Sequence, residues 1–315
     1  MTELTQLICG ELFFFHPMLD DASLSRLKGN PRFLGACDRR HTGHLLKYFS
    51  AGREIRALMR DVVGVGDVDI YVPHPFNPLS NYAFFLSESS RKYIYQDGLL
   101  NYYDATSPLA SWKRLLKQKT KSACIGLPYK AYTGHLSGID SSSIAGGFFT
   151  HPEKIVQANK FQRIEKLYLR TDAGTLPSES RSGTLFLDQP IEQIVGNTIA
   201  HDLRQQTIDY VNELEGPVFY KPHYAQKADS SFGPTWKTLD RHACSLPAEL
   251  LVAKLNVKSV VSFCSSALAN IALSHDSINC YATAADMIRI SVNGRPTTLA
   301  EVLSALGVTI AKLHH

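Results

Sequence analysis

Hydrophobic and polar positions along the chain follow two periods that alternate from one segment to the next. Apolar residues recur at helical spacing over 43–62 and 265–274, whereas apolar runs of strand length occur at 184–187, 218–221 and 259–263. The same patterns predict further strands at 7–15, 68–72, 92–95 and 278–281, and further helices at 111–119, 191–214, 248–255 and 297–306. Regular alternation of strands and helices is typical of α/β proteins with parallel sheets.

A change of composition divides this pattern into two parts. Segment 170–183 combines Gly, Pro, Ser and charged residues without any periodicity, which is typical of a linker. The chain of 315 residues is about twice the length of an ordinary domain. We therefore expect two α/β domains, 1–170 and 183–315, with a ligand in the crevice between them.

Composition and charge narrow the class of protein. An apolar content of 44% and a charged content of 20% predict a folded chain, and a net charge of +4 gives no argument for nucleic acid. That charge is compatible with an anionic substrate or with loose attachment to an anionic membrane surface. Six scattered cysteines without a C-x-x-C pair predict reduced, buried thiols and a cytosolic compartment. We see no secretory signal over 1–10, and 259–274 is too short and serine-rich to cross a bilayer.

Candidate chemistry follows the predicted strands, because ligands of parallel sheets lie beyond the carboxyl ends of the strands. Asp97 follows strand 92–95 and precedes a glycine, so it could act as a general base, although Asp-Gly is also a common turn pair. Lys221 ends strand 218–221 and His223 follows it; both could donate to a phosphate, and His223 could also protonate a leaving group. Packing of the histidine at a strand end is the alternative.

Two further groups lie at predicted helix N-termini. Ser265 and Ser266 combine two hydroxyls with free backbone N–H groups and the helix dipole, which together could hold an anion, although Ser265 could also be a simple N-cap. Glu249 lies in the first turn of a helix, where a carboxylate is favourable for the dipole alone. It could instead accept hydrogen bonds from the hydroxyls of a ribose.

Patterns of other enzyme classes are weak or missing. Asp67 and Asp69 match the D-x-D pattern that can hold Mg²⁺ or Mn²⁺, but this two-residue match lies away from the other groups. The sequence has no H-x-x-x-H pair, Walker loop or G-x-G-x-x-G, so zinc hydrolases, P-loop NTPases and Rossmann oxidoreductases lack their expected residues. His-Pro pairs occur at His16, His74 and His151, but only the His223 segment combines an apolar strand with a lysine two residues earlier.

The order of these groups is more specific than any one of them. A D-G after a strand, then L-F-L-x-Q-P, Y-K-P-H, L-P-A-E-L and F-x-S-S-A-L, resembles the bacterial sialyltransferases of the GT-B fold, most closely the lipooligosaccharide and capsule group. The resemblance spans about 93–281 and is strongest over 184–269. It implies two Rossmann-like domains facing a central cleft. The N-terminal domain would bind the acceptor and carry the base, and the C-terminal domain would bind the CMP-sugar.

The resemblance also implies a role for each position. Asp97 would deprotonate the acceptor hydroxyl, and His223 would contact the CMP phosphate and support its departure. Ser265 and Ser266 would bind that phosphate, and Glu249 would bind the cytidine ribose.

Other positions of the family pattern lie nearby, and three of them depart from it. Gln189 matches the glutamine of a G-Q-P segment at the cleft, but Asp188 replaces its glycine. Gln96 stands where the family has its first acid, and Pro222 precedes His223 instead of following it.

By this resemblance the chain transfers sialic acid, or a related nonulosonic acid, from its CMP donor to a hydroxyl of a cell-surface glycan such as lipooligosaccharide or capsule. Neither a metal nor another cofactor is expected. The alternatives are a CMP-Kdo, legionaminic or pseudaminic acid transferase with the same site, and a non-catalytic nucleotide-sugar or glycan-binding protein, which Gln96 favours. We expect a cytoplasmic protein, compatible with peripheral attachment at the inner face of the cytoplasmic membrane. Acceptor, linkage and oligomeric state are left open.

Overall fold

The computed structural model describes residues 13–14, 32–33, 44–63, 68–86, 88, 90–106, 112–140, 144–167, 181–223, 235–240, 243–244 and 246–313. The chain forms two compact units, a first unit Met1–Tyr168 and a second unit Leu169–His315. Most of the predicted linker 170–183 lies outside the described residues, and so does most of the predicted strand 7–15, of which Phe13–Phe14 is described as a strand.

The first unit contains a parallel sheet of four strands in the order β3-β4-β5-β6 and a separate parallel pair, β1-β2. Its strands are β1 (Phe13–Phe14), β2 (Arg32–Phe33), β3 (Asp69–Val72), β4 (Arg91–Tyr95), β5 (Gly146–Phe149) and β6 (Ile164–Lys166). Its helices are α1 (His44–Val63), α2 (Pro78–Leu86) and α3 (Trp112–Cys124). The carboxyl ends of the four sheet strands therefore lie along one edge, because the strands are parallel.

The second unit contains a parallel sheet of six strands in the order β14-β11-β10-β7-β8-β9 and an antiparallel hairpin, β12-β13. Its strands are β7 (Thr184–Leu187), β8 (Val218–Lys221), β9 (Lys237–Thr238), β10 (Ser259–Ser262), β11 (Asn279–Ala282), β12 (Arg289–Val292), β13 (Arg295–Thr298) and β14 (Thr309–Ile310). Its helices are α4 (Glu192–Val195), α5 (Asn197–Glu213), α6 (Ala248–Leu255), α7 (Ser266–Ser274) and α8 (Leu299–Ala305).

The strand order of the second unit marks where a ligand would bind. Its first strand, β7, lies in the middle, with β8 and β9 on one side and β10, β11 and β14 on the other. This is the order 3-2-1-4-5-6 of doubly wound nucleotide-binding sheets. In such sheets the ligand crevice lies beyond the carboxyl ends of the strands, where the order reverses, which here is between β7 and β10.

Aromatic rings fill the core of the second unit around the middle strand. Phe186 of β7 is fully buried, and its ring centroid lies 5.4 Å from Trp236, 5.6 Å from Phe263 and 6.2 Å from Tyr220. All four residues of β7 and of β10 are buried. Burial on both faces explains why apolar residues are adjacent in these strands, at Leu185–Leu187 and Val260–Val261, instead of alternating with exposed polar ones.

The predicted mixed α/β class with parallel sheets is confirmed, but the pattern did not predict several elements, among them helix α2 and strand β5. Its sequence is Gly-Gly-Phe-Phe, and all four residues are buried. A Cβ atom on Gly146 would lie 2.9 Å from the ring of Tyr93, and one on Gly147 would lie 2.9 Å from the ring of Phe161. Glycine is required there because aromatic side chains pack directly against the backbone.

The cysteines only partly match their prediction. Cys264 and Cys280 are buried free thiols, and burial raises the pKa of each to about 12. Cys124, at the end of α3, is an exposed free thiol, so the prediction of a buried side chain was wrong there, because α3 turns this position to solvent. Within the described ranges, no helix has the length and apolar character needed to span a membrane.

Candidate functional site

The carboxyl ends of β3 and β4 bring His74 close to Asp97. Each residue lies two positions beyond its strand, and His74 Nε2 is 3.4 Å from Asp97 Oδ2. The backbone N–H of Phe76 donates to His74 Nδ1 at 3.2 Å, which places the proton of the neutral imidazole on Nε2, facing the carboxylate. The Asp97 side chain is 57% exposed, so its carboxylate is accessible from solvent.

Gln96, directly before Asp97, is held inside the first unit. Its Oε1 accepts hydrogen bonds from the Tyr102 hydroxyl at 2.7 Å, the Thr150 backbone N–H at 2.7 Å and the Thr150 hydroxyl at 2.8 Å. Tyr102 and Thr150 are both buried, and Thr150 directly follows β5. The amide oxygen of Gln96 therefore connects the ends of β4 and β5 through hydrogen bonds. A glutamate at this position would also offer an acceptor oxygen.

A third strand end in this unit carries His151. Its Nδ1 lies 3.3 Å from Glu153 Oε1, and burial lowers the pKa of its imidazole. Its Nε2 is buried and has no hydrogen-bond partner within the described parts of the chain. The signal for His74 and His151 in the sequence is a His-Pro pair shortly after an apolar segment, and the structure places both histidines two residues beyond a strand.

In the second unit, Gln189 bridges the two strands that flank the order reversal. It follows β7, and its Oε1 accepts hydrogen bonds from the backbone N–H of Cys264 at 2.8 Å and from the hydroxyl of Ser262 at 3.2 Å. Ser262 ends β10, and Cys264 follows it. The Gln189 side chain thus fixes the loop that leads into α7, and it lies at the edge where the crevice of such a sheet is located.

Asp188, directly after β7, forms a buried polar anchor. Its side chain is 2% exposed and accepts hydrogen bonds from the Tyr220 hydroxyl at 2.8 Å, Arg204 Nη1 at 3.2 Å and the Gln189 backbone N–H at 2.7 Å. Burial raises the pKa of this carboxyl, whereas these donors act in the opposite direction. Asp188 therefore holds the β7 turn in place.

Lys221 and His223 lie at the end of β8, next to β7. Lys221 Nζ donates to the backbone carbonyl of Cys244 at 2.5 Å. His223 is half-buried, and burial lowers the pKa of its imidazole; the Asp188 carboxylate raises that pKa and the Lys221 ammonium lowers it. His223 is thus within electrostatic reach of both charges at the edge where the strands end.

Ser265 is an N-cap, which confirms one of its two predicted roles. Its hydroxyl accepts the backbone N–H of Ala267 at 3.3 Å, and Ser266 is the first residue of α7. Glu249 lies in the first turn of α6, where its Oε1 accepts a hydrogen bond from Asn270 Nδ2 of α7 at 2.8 Å. The proposed roles of these residues toward a nucleotide stay predictions.

The D-x-D match has a different local partner. Asp69 Oδ1 lies 2.6 Å from Arg91 Nε on the neighbouring strand, and Asp67 lies outside the described residues. Across the ranges that the structure describes, no three His, Cys, Asp or Glu side chains form a group that could hold a metal ion.

The predicted site residues therefore fall into two groups. One group lies at or just beyond the ends of the neighbouring strands β7, β8 and β10 of the second unit and comprises Gln189, Lys221, His223, Ser265 and Ser266. Asp97 belongs to the first unit, where the structure adds His74 to it.

Comparison with known proteins gives distant likenesses to solved structures alone. No protein-family model and no curated protein matches the sequence. Among solved structures, the crystal structure of the glycotransferase of kitacinnamycin covers 92% of this chain and 76% of its own, at 11% sequence identity and a TM-score of 0.42. A likeness of this size assigns neither a family nor an activity.

Proposed function

We propose that the protein is a GT-B glycosyltransferase that moves sialic acid, or a related nonulosonic acid, from its CMP donor to a hydroxyl of a cell-surface glycan, such as lipooligosaccharide or capsule. The observation that carries this proposal is the strand order of the second unit, together with the groups at its reversal. Gln189 and the start of α7 flank the reversal, and His223 follows the adjacent strand. This is where doubly wound sheets bind nucleotides.

The donor phosphate would lie at the N-terminus of α7. Ser265 and Ser266, with the backbone N–H groups of the first turn, offer donors and the positive end of the helix dipole. Burial lowers the pKa of His223 in the protein alone, but an arriving phosphate raises it again, because an opposite charge favours the imidazolium. The protonated His223 would then stabilise the charge that develops on the departing CMP.

The acceptor hydroxyl would lose its proton to Asp97. The Nε2–H of His74 faces Oδ2 of this carboxylate, so Oδ1 is the oxygen that would take the proton. As the acceptor oxygen bonds to the sugar carbon, the bond from that carbon to the CMP phosphate oxygen breaks, and its electron pair leaves with CMP. The sugar passes through an oxocarbenium-like state, as in other glycosyl transfers. His74 is a positioning residue in this scheme.

Gln96 gives less support to a non-catalytic protein than the sequence suggested. Its amide oxygen accepts three hydrogen bonds from Tyr102 and Thr150, so a structural role explains this residue without any loss of activity. The phosphate charge would be met by His223 and the α7 N-terminus, with Lys221 adding positive charge nearby, so we propose a reaction without a metal. We place it in the cytoplasm, as the scattered cysteines indicate.

The test is CMP release from CMP-sialic acid in the presence of a galactoside. Asp97→Asn should lower turnover by about a hundred- to ten-thousand-fold, because it removes the base, while CMP affinity measured by calorimetry stays unchanged. The control is Asp286→Asn, which changes an exposed carboxylate of the second unit. His74→Gln, which keeps an N–H donor, should retain more activity than His74→Ala.

Three outcomes decide between the alternatives. Wild-type turnover by Asp97→Asn would remove this residue from the mechanism. Release only from CMP-Kdo, CMP-legionaminic acid or CMP-pseudaminic acid would assign one of those donors to the same site. Binding of CMP-sugars without release of CMP from any of them would support the non-catalytic binding protein.

A further inference from the structure

Helix α3 of the first unit combines strong positive charge with exposed apolar side chains. It contains no acidic residue, and its charged residues are Lys113, Arg114, Lys117, Lys119 and Lys121. Trp112 is 68% exposed and Leu116 55% exposed, which are the two highest values among the large apolar side chains that the structure describes. Exposed apolar side chains that are grouped on one surface and bordered by charged residues are typical of interaction sites.

The helix geometry places these side chains on adjacent stripes. Successive residues turn by about 100°, so Trp112 and Leu116 lie one above the other, with Lys119 along one border of this apolar stripe. Lys113, Lys117 and Lys121 recur every fourth residue and form the other border. The outward face is therefore an apolar stripe with Lys119 on one side and the row of Lys113, Lys117 and Lys121 on the other.

A different face of α3 accounts for its packing against the rest of the unit. Gln118 and Ser122 are buried, and Leu115, which precedes Gln118 by about one turn, is half-buried. Ser122 Oγ donates to the backbone carbonyl of Leu127 at 2.9 Å, which fixes the end of the helix. Folding therefore uses the Leu115–Gln118–Ser122 face and leaves the Trp112–Leu116 stripe unused.

We propose that α3 docks on an anionic lipid bilayer, with Trp112 and Leu116 in the boundary between headgroups and acyl chains and the bordering lysines on the lipid phosphates. A tryptophan with flanking lysines suits this boundary, because the ring and the lysine stems are apolar while the ammonium groups stay hydrated. A nucleic acid could use the charges and stack a base on Trp112, but it would leave Leu116 without a contact, and a protein partner would have to bury the lysines. The proposal does not depend on the catalytic one.

The experiment uses the full chain and vesicles of phosphatidylcholine alone or mixed with phosphatidylglycerol. We expect binding to the mixed vesicles only, weakened by added salt, because the charge attraction is screened. Lys113→Gln/Lys117→Gln/Lys121→Gln should bind about a hundredfold more weakly, since each basic side chain near an anionic surface contributes about fivefold. Trp112→Ser/Leu116→Ser should bind about tenfold or more weakly at unchanged charge.

Fluorescence gives a second readout, because the chain has only two tryptophans and Trp236 is buried in the second unit. Emission should shift to shorter wavelength on vesicle binding, and Trp112→Phe should abolish the shift. Matched controls change exposed residues of the second unit. They are Ile194→Ser/Ile199→Ser for the apolar pair and Lys254→Gln/Lys258→Gln/Lys312→Gln for the charges.

Loss of binding in the α3 variants, with the controls unaffected, would support the proposal. Equal losses in the controls, or no binding to either vesicle, would overturn it. A third outcome would also overturn it. If Trp112→Ser/Leu116→Ser binds vesicles like wild type and a single-stranded oligonucleotide displaces the protein from them, the helix is a general polyanion site. CMP release with a soluble galactoside should be the same in all these variants, which separates this result from the fate of the proposed activity.

Discussion

Replacement of Gln96 by leucine tests whether this residue is structural. Leucine is of similar size but removes the oxygen that accepts three hydrogen bonds from two buried residues. The hydroxyls of Tyr102 and Thr150, 3.2 Å apart, can still bond to each other, but the Thr150 backbone N–H loses the acceptor it has in the structure. One orphaned buried donor and two weakened bonds should lower the free energy of unfolding by about 2–4 kcal/mol.

The assay is urea denaturation followed by circular dichroism, with two companion variants. Gln96→Glu keeps an acceptor oxygen and should lose much less stability than Gln96→Leu. Gln193→Leu changes an exposed glutamine of the second unit and should be close to neutral. A Gln96→Leu protein as stable as wild type would refute the structural role of these hydrogen bonds. A Gln96→Glu protein as unstable as Gln96→Leu would show that a carboxylate does not fit there.

Three further predictions concern the second unit and the reaction. Arg204→Met should lower the free energy of unfolding by about 3–5 kcal/mol in the same denaturation assay, because it leaves the buried Asp188 carboxylate without its cation. His223→Ala and Ser265→Ala should each weaken CMP binding, measured by calorimetry, about ten- to a hundredfold, and their effects should not add if both residues hold one phosphate. Glu249→Ala should also weaken CMP binding, but its effect should add to that of His223→Ala. Unchanged CMP affinity in His223→Ala would show that this histidine only packs at the strand end. EDTA should leave CMP release unchanged, and a loss that Mg²⁺ restores would point to the D-x-D aspartates instead.

The sequence determined the central strands of the second unit, whereas β9, β12, β13 and β14 were not predicted. The predicted bounds of β7, β8 and α6 coincide with those of the structure, at Thr184–Leu187, Val218–Lys221 and Ala248–Leu255. Each is an apolar segment limited by polar residues, glycine or proline, and such local signals act within a few residues. The same signals placed Lys221 and Ser265 at element ends, where the structure has them.

The neighbours of each element were decided only by the tertiary structure. His74 and Asp97 meet because β3 pairs with β4, and no local pattern encodes which strands pair. Strand β5 was not predicted because its glycines have low strand propensity, and their use becomes clear only when the rings of Tyr93 and Phe161 pack on them. Periodicity reports which side of an element is buried, whereas contacts between distant residues depend on how the buried sides fit together, and that is a property of the folded chain.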